Sequence, residues 1–360
     1  MSDPRAPLIE NVRLQAVACK ALGSSFYEAL LGHIVNDIAA AGPCWEILAA
    51  HAGAPADDVY SLRLLAGVHR VVLSGGAPAL TARYPSTGGD GDAEAAWPDV
   101  RRLIADPPPS VLDALTRPPQ TNEVGRSIPL FGGLLVIAAR MGLPLRLREL
   151  GASAGLNLRF DRYWFEQDGA GWGDAATKVR FTQFWSGARP LFERGLEIAD
   201  RRGCDRDPID ATSDDGRLAL LSYVWPDQAQ RFQLLAAALE AALDTPVDID
   251  RTDAGAWVER MLVPSNPGAC TVVYHSVFWQ YLPDATRSAI IVAIQAAGAR
   301  ATPEAPLAWL RLEPGNIGDG FAELRLSLWP APGGVVDNEL LAKAGFHLGP
   351  VEWLAGAGLD

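Results

Sequence analysis

Paired cysteines are missing from this chain. Cys19, Cys44, Cys204 and Cys270 lie far apart, form no Cys-x-x-Cys and have no histidine at metal-ligand spacing. A redox dithiol and a zinc site are therefore not expected, and buried free thiols are. Lysine is nearly absent: Lys20, Lys178 and Lys343 stand among 31 basic residues. With so much Ala, Gly and Pro this looks like coding bias and carries no mechanism. Positive charge is short overall, and a net charge of −12 leaves no general basic face for phosphates, so no nucleic-acid partner is expected. Long hydrophobic runs are lacking too. No segment holds about 18 uncharged apolar residues, and Met1-Ser-Asp-Pro-Arg-Ala-Pro is no basic start to an apolar stretch. No membrane partner is expected, and a cytoplasmic location is. No repeat of fixed period is visible.

What is present is ordinary globular usage, with 49% hydrophobic and 21% charged residues over 360 positions. That length exceeds one typical domain, so two parts are expected. Residues 1–119 read as a helical module. Ser24 and Ser25 can cap a helix carrying Phe26, Leu30, Leu31, Ile34 and Ile38, and a second stripe runs through Val59, Leu62, Leu65, Val68 and Val72 to Gly75-Gly76. A short helix follows Ser110. Residues 120–360 read as an α/β domain, entered by a helix that Thr121 or Asn122 caps, with Glu123 in its first turn and Met141 at its end.

Strand-like and helix-like segments then alternate as in an open, mostly parallel sheet with helices on both faces. Strands are expected at 145–150, near 196–198, and at 247–251, 271–274, 307–312, 321–329 and 347–353. Helices are expected at 227–243, around Trp257 and at 283–297. Residues 159–193, rich in aromatics and glycine, exceed what a simple βαβ unit needs and read as an insertion near the site. The first strand runs into Glu149-Leu-Gly-Ala-Ser-Ala-Gly-Leu-Asn157. Gly151 and Gly155 with small residues between them allow a sharp turn and a close approach to a ligand.

Ligands collect at the carboxyl ends of parallel strands, and each expected strand ends in polar residues. These are Glu149 with the turn, Asp205, Asp253, His275 with Ser276, and Glu313. One carboxylate can accept both ribose hydroxyls. Another can accept the adenine amine while the N–H of Ala254 serves a ring nitrogen. Plainer roles compete: Asp253 suits a helix cap, His275 a satisfied buried histidine, Trp279 a core aromatic, and Glu123 with Arg126 an i, i+3 surface pair.

The order of these elements resembles the class I S-adenosylmethionine-dependent methyltransferase fold. Glu149-Leu-Gly-Ala-Ser-Ala-Gly155 resembles its first motif, with Ser153 at the usual middle glycine. Gly203-Cys-Asp205 resembles its ribose-binding acid, and Thr252-Asp253-Ala254 its adenine-binding segment. The segment from His275 to Gln280 takes the place of the fourth motif but is not the Asp/Asn-Pro-Pro-Tyr form, so amino-group methylation of nucleic acid is not implied. The phrases Gln120-Thr-Asn-Glu-Val-Gly-Arg126, Tyr223-Val-Trp-Pro-Asp-Gln228 and His275-Ser-Val-Phe-Trp-Gln-Tyr281 also resemble, with the two motifs above, a bacterial family of unknown function.

The resemblance implies a Rossmann-like domain that holds S-adenosylmethionine through Glu149, Gly151, Ser153, Gly155, Asn157, Asp205, Asp253, Ala254 and Ser276. A small-molecule acceptor would sit beneath the N-terminal helices, with His275 as base and Trp279, Gln280, Glu123 and Arg126 shaping its pocket. The alternatives are a protein that keeps the fold and binds a nucleotide or other ligand without chemistry, and a dinucleotide oxidoreductase. The latter is disfavoured because the glycines do not follow G-x-G-x-x-G.

Overall fold

The computed structural model describes residues 3–262, 267–315, 320–330 and 336–355. Its helices are α1 (Ala6–Ala21), α2 (Ser25–Ala39), α3 (Pro43–Leu48), α4 (Tyr60–Leu73), α5 (Pro78–Thr81), α6 (Ala93–Ala105), α7 (Pro109–Thr116), α8 (Ser127–Met141), α9 (Asp214–Ser222), α10 (Ala229–Leu243), α11 (Ala254–Met261) and α12 (Asp284–Gly298). Its strands are β1 (Leu145–Leu150), β2 (Trp164–Gln167), β3 (Ala170–Gly173), β4 (Arg180–Thr182), β5 (Trp185–Gly187), β6 (Ile198–Asp205), β7 (Asp248–Arg251), β8 (Cys270–Ser276), β9 (Leu307–Pro314), β10 (Ala322–Trp329), β11 (Val336–Ala344) and β12 (Val351–Trp353).

Two compact units result. One comprises Met1–Thr121 with Ser213–Ala236, the other Asn122–Thr212 with Ala237–Asp360. Residues 213–236 thus join the helical unit and not the α/β part to which the sequence assigned them. Side chains explain why. Asp227 accepts from Ser24 Oγ at 2.6 Å and from Phe26 N at 3.0 Å, while Ser24 caps α2 by accepting from Tyr27 N. His69 is buried and satisfied at both nitrogens, by Ser222 O at 3.1 Å and Ser86 Oγ at 2.8 Å. Burial pushes its pKa down to about 4. The stripe on α2 (Phe26, Leu30, Leu31, Ile34, Ile38) is buried as its spacing required.

The second unit is built on a nine-stranded sheet of order β5-β12-β11-β10-β9-β8-β1-β6-β7. From β7 to β9 all pairs are parallel, whereas β9 to β12 form an antiparallel meander and β5 pairs with β12 in parallel. Alternation assigns the faces. Leu310 and Leu324 meet α8 at Gly133, where a Cβ would lie 2.7 Å from Leu310 Cδ1. Leu150, Cys204, Val273 and Trp309 pack with Trp257, Ile290 and Ile294 of α11 and α12 on the opposite face. The chain is therefore mixed α/β with an open, mostly parallel sheet and helices on both faces.

Two departures from the expected element order stand out. β11 lies between the last two expected strands, and the final one is short. The glycine turn leads into a 3₁₀ turn, Asn157–Arg162. The insertion then makes a three-stranded sheet, β3-β2-β4, and supplies the edge strand β5. Its aromatics pack on α8, with the Phe131 ring 4.2 Å from Phe165 and 4.7 Å from Trp172. The stretch Val124–Met141 has the length and mean hydropathy, 1.4, of a membrane span, but 72% of it is buried inside the protein. It is the core helix of this unit. All four cysteines are free and buried, and burial pushes the thiols of Cys19 and Cys270 up to about 12.

Candidate functional site

The turn after β1 lies where the parallel order reverses, β6 following on one side of β1 and β8 on the other. Gly151, Ser153 and Gly155 have φ of 66°, 52° and 68°. Ser153 adopts the left-handed conformation despite its side chain, at a cost of roughly 1–2 kcal/mol. The offset is visible: Asp205 Oδ2 accepts from Ser153 N at 2.9 Å. Arg159, itself buried, donates to the carbonyls of Ala154 (3.0 Å), Gly155 (2.9 Å) and Thr245 (2.7 Å). Leu156 N donates to Asn122 Oδ1 at 2.9 Å, and Asn157 Oδ1 accepts from Ser127 Oγ at 2.7 Å, which ties the turn to α8. Ala152 N and Gly155 N are used by Cys204 O and Ala152 O. These N–H groups are engaged internally and no α-helix follows, so the turn does not present the helix N-terminus that cradles a pyrophosphate.

Three acids stand near the ends of β1, β6 and β7. Glu149 is 2% exposed, and Tyr274 Oη donates to its Oε2 at 3.4 Å. Burial pushes its carboxyl well above the usual range and the charge of Asp205 adds to that, while the Tyr274 bond works the other way. Asp205 Oδ1 also accepts from Asp207 N at 2.9 Å. Asp253 caps α11, accepting from Gly255 N at 2.9 Å, with Thr286 Oγ1 at 3.3 Å and the exposed Arg206 at 3.5 Å on its other oxygen. Ala254 is the first residue of that helix and is buried.

Glu123 and Arg126 are not an exposed pair. Glu123 is buried and caps the 3₁₀ turn Val124–Arg126 by accepting from Gly125 N at 3.2 Å, with His347 Nδ1 at 3.4 Å. Arg126 donates from Nε to Phe346 O at 3.2 Å and from Nη1 to Ser276 O at 3.1 Å. It thereby ties the loop before β12 to the end of β8, and Ser276 takes part through its backbone. The expected helix thus begins at Ser127, five residues after Asn122.

His275 is fully buried at the end of β8. Its Nδ1 lies 2.5 Å from Glu313 Oε1, and Trp309 Nε1 donates to its Nε2 at 3.2 Å. An indole N–H only donates, so Nε2 accepts and Nδ1 carries the proton. No lone pair is then left to take a proton from an acceptor, which corrects the expectation that His275 is the base. Glu313 also accepts from Phe278 N at 3.1 Å and Trp279 N at 3.3 Å, fixing that segment. Trp279 stacks on His275, ring centres 5.2 Å apart. Phe278 lies on the glycine turn, so close that a Cβ on Gly151 would be 2.2 Å from its Cδ2. Gln280 is exposed in the 3₁₀ turn that follows.

Two groupings emerge. The turn, Glu149, Asp205 and Phe278 form one. The other is a cavity of about 440 Å³, bordered by His275, Trp279 and Glu313 on one side and by β10 and β11 on the other. Sequence reasoning gave no site role to Arg159, Asn122, Phe278 or Trp309. It placed Glu313 at a strand end without linking it to His275, because their pairing joins two neighbouring strands 38 residues apart. Asn122 and Phe278 had a visible signal, lying inside the Gln120–Arg126 and His275–Tyr281 phrases.

No curated protein matches this sequence. Over residues 10–353 it does match a family described as uncharacterised and conserved in bacteria, DUF2332, and since that span covers nearly the whole chain, the chain belongs to that family.

Proposed function

We propose that this chain binds S-adenosylmethionine at the turn Gly151–Gly155 and passes its methyl group to a small molecule. The observation that carries this reading is the position of the turn at the reversal point of the parallel sheet, with Asp205 and Asp253 ending the next two strands. The donor set suits the cofactor. Each Asp205 oxygen uses one lone pair on a backbone N–H and keeps another for a ribose hydroxyl. Asp253 can accept an exocyclic amine at the mouth of α11. Glu149, nearly enclosed, would gain a partner in an ammonium group, which would relieve the burial of its charge. Phe278 walls the turn at Gly151. When bound, the cofactor supplies an electrophilic methyl on sulfur, and the chain's task is to hold it and keep water away. Because both nitrogens of His275 are engaged, acceptors that need no proton removed are favoured.

The same occupancy of His275 favours a second reading, in which the chain binds the ligand without chemistry. Thermal-shift and calorimetric titrations with S-adenosylmethionine, S-adenosylhomocysteine, NADH and ATP test the first. Stabilisation by both adenosyl sulfur compounds and not by NADH is expected, about 2.7 kcal/mol at a hundredfold excess over Kd. No response to either removes the proposal. Binding without formation of S-adenosylhomocysteine in a bacterial metabolite extract leaves the second reading standing.

A further inference from the structure

The cavity beside His275 lies on the α12 face of the sheet, and neither the glycine turn nor Asp205 nor Asp253 lines it. At about 440 Å³ it falls within the range of small-molecule sites. Its floor has an unusual charge pattern. Arg311 on β9 stands directly opposite Arg325 on β10, and like charges facing each other across a pair of strands destabilise it. Arg325 is paired with Glu323 at 2.7 Å. Arg311 has no carboxylate within ion-pair distance among the described residues. Its Nη2 donates to two neutral groups, Ser327 Oγ and Asn338 Oδ1, each at 3.0 Å, and its Nε is buried without a partner. Its guanidinium lies 4.2 Å above the Trp309 ring. Burial and the neighbouring Arg325 both lower its pKa, while Asp337 opposes them. Asp337, the carboxylate whose charge acts on it, accepts from Ser327 Oγ at 3.1 Å, while Glu313 is taken up by His275, Phe278 and Trp279.

We propose that this cavity binds a small monocarboxylate with a planar or apolar body, its carboxylate on Arg311 and Arg325 and its body against Trp279 and Ile291. The guanidinium fork matches a carboxylate in two parallel hydrogen bonds and completes the buried Nε. The acids Glu323 and Asp337 at the margin disfavour a dianion such as phosphate. A monoanion meets one facing guanidinium pair without adding a second negative charge. The site does not depend on the methyl-donor reading, and its test reads a different ligand.

Indole-3-acetate, phenylacetate, their neutral amides and inorganic phosphate are titrated into the full chain by calorimetry. The acids are expected to bind at least about tenfold more tightly than the amides, the size of one charge-assisted pair. R311Q is expected to abolish that preference. D337N, at an exposed position and keeping an amide oxygen to accept from Ser327 Oγ, is expected to tighten acid binding severalfold by removing a like charge. Equal binding of acid and amide, no acid binding up to 10-millimolar order, or phosphate binding tighter than either acid overturns the proposal. So does unchanged affinity in D337N, even if R311Q fails to fold.

Discussion

Replacing Asp205 distinguishes a carboxylate that only awaits a ribose from one that also builds the turn. Its two oxygens accept from Ser153 N and Asp207 N, both at 2.9 Å, and Ser153 sits at φ 52°. A hydrogen bond to a charged acceptor contributes about 1.5–3 kcal/mol, less where water can replace it. Ser153 is buried, so its N–H would lose a charged acceptor that water does not readily replace, whereas Asp207 is half-exposed and water can serve it. D205A is therefore expected to lose about 2–4 kcal/mol. D205N keeps one oxygen acceptor and presents an amide to the other N–H, for a loss of about 1–2 kcal/mol. Urea unfolding followed by circular dichroism and tryptophan fluorescence measures both, with an unchanged slope as the condition for comparison. If D205A lies within about 0.5 kcal/mol of the parent, the range of an ordinary surface change, the carboxylate does not hold the turn. Adding S-adenosylmethionine separates the roles, since D205N should lose most of the ligand-induced stabilisation while remaining folded.

Other consequences follow from single positions. G151A places a Cβ 2.2 Å from Phe278 in left-handed backbone, and a loss of about 2–4 kcal/mol is expected, with F278A partly rescuing it in a double-mutant cycle. Strict additivity would mean the two do not meet. His69 stays neutral in the folded chain down to about pH 4 but takes a proton at its ordinary pKa of about 6.5 when unfolded. The unfolded state binds more protons in that window, so stability is complete above pH 6.5 and falls towards pH 4, by up to about 3 kcal/mol. H69Q should flatten this slope, and an unchanged slope would refute it. For Glu149 the sign is opposite. The folded chain holds a proton that the unfolded chain loses above its ordinary range, so stability falls as pH rises, and E149Q should melt higher than the parent at pH 8 but not at pH 4. A lower melting temperature at pH 8 would show that the charged form is the stable one.

Local chemistry made much of this fold readable in advance. Ser24 announced α2, the alternation in β1 announced a strand, and the polar residue at each strand end marked the edge where ligands collect. Where the chain could satisfy itself in more than one way, composition was not enough. Glu123 three residues before Arg126 suits a surface pair on a helix. In the fold the helix starts later, at Ser127, so Glu123 caps a turn and Arg126 reaches carbonyls at residues 276 and 346. The insertion expected at 159–193 follows a 3₁₀ turn and forms its own small sheet, and its strand β5 docks far along the main sheet, which no local signal announced. Membership of 213–236 in the helical unit rests on Asp227 reaching Ser24 across more than two hundred residues.

The sequence by itself determined the longer helices, the parallel strands and the small-residue turn, because periodicity, caps and glycine conformations are settled within a few neighbouring residues. Only the tertiary structure decided what the site residues are free to do. His275 loses its availability as a base to Glu313 and Trp309, Asp205 becomes a support of the turn, and Arg311 is left facing Arg325. Hydrogen bonds and charges between distant strands make those assignments, and strand order is a property that no local stretch of sequence carries.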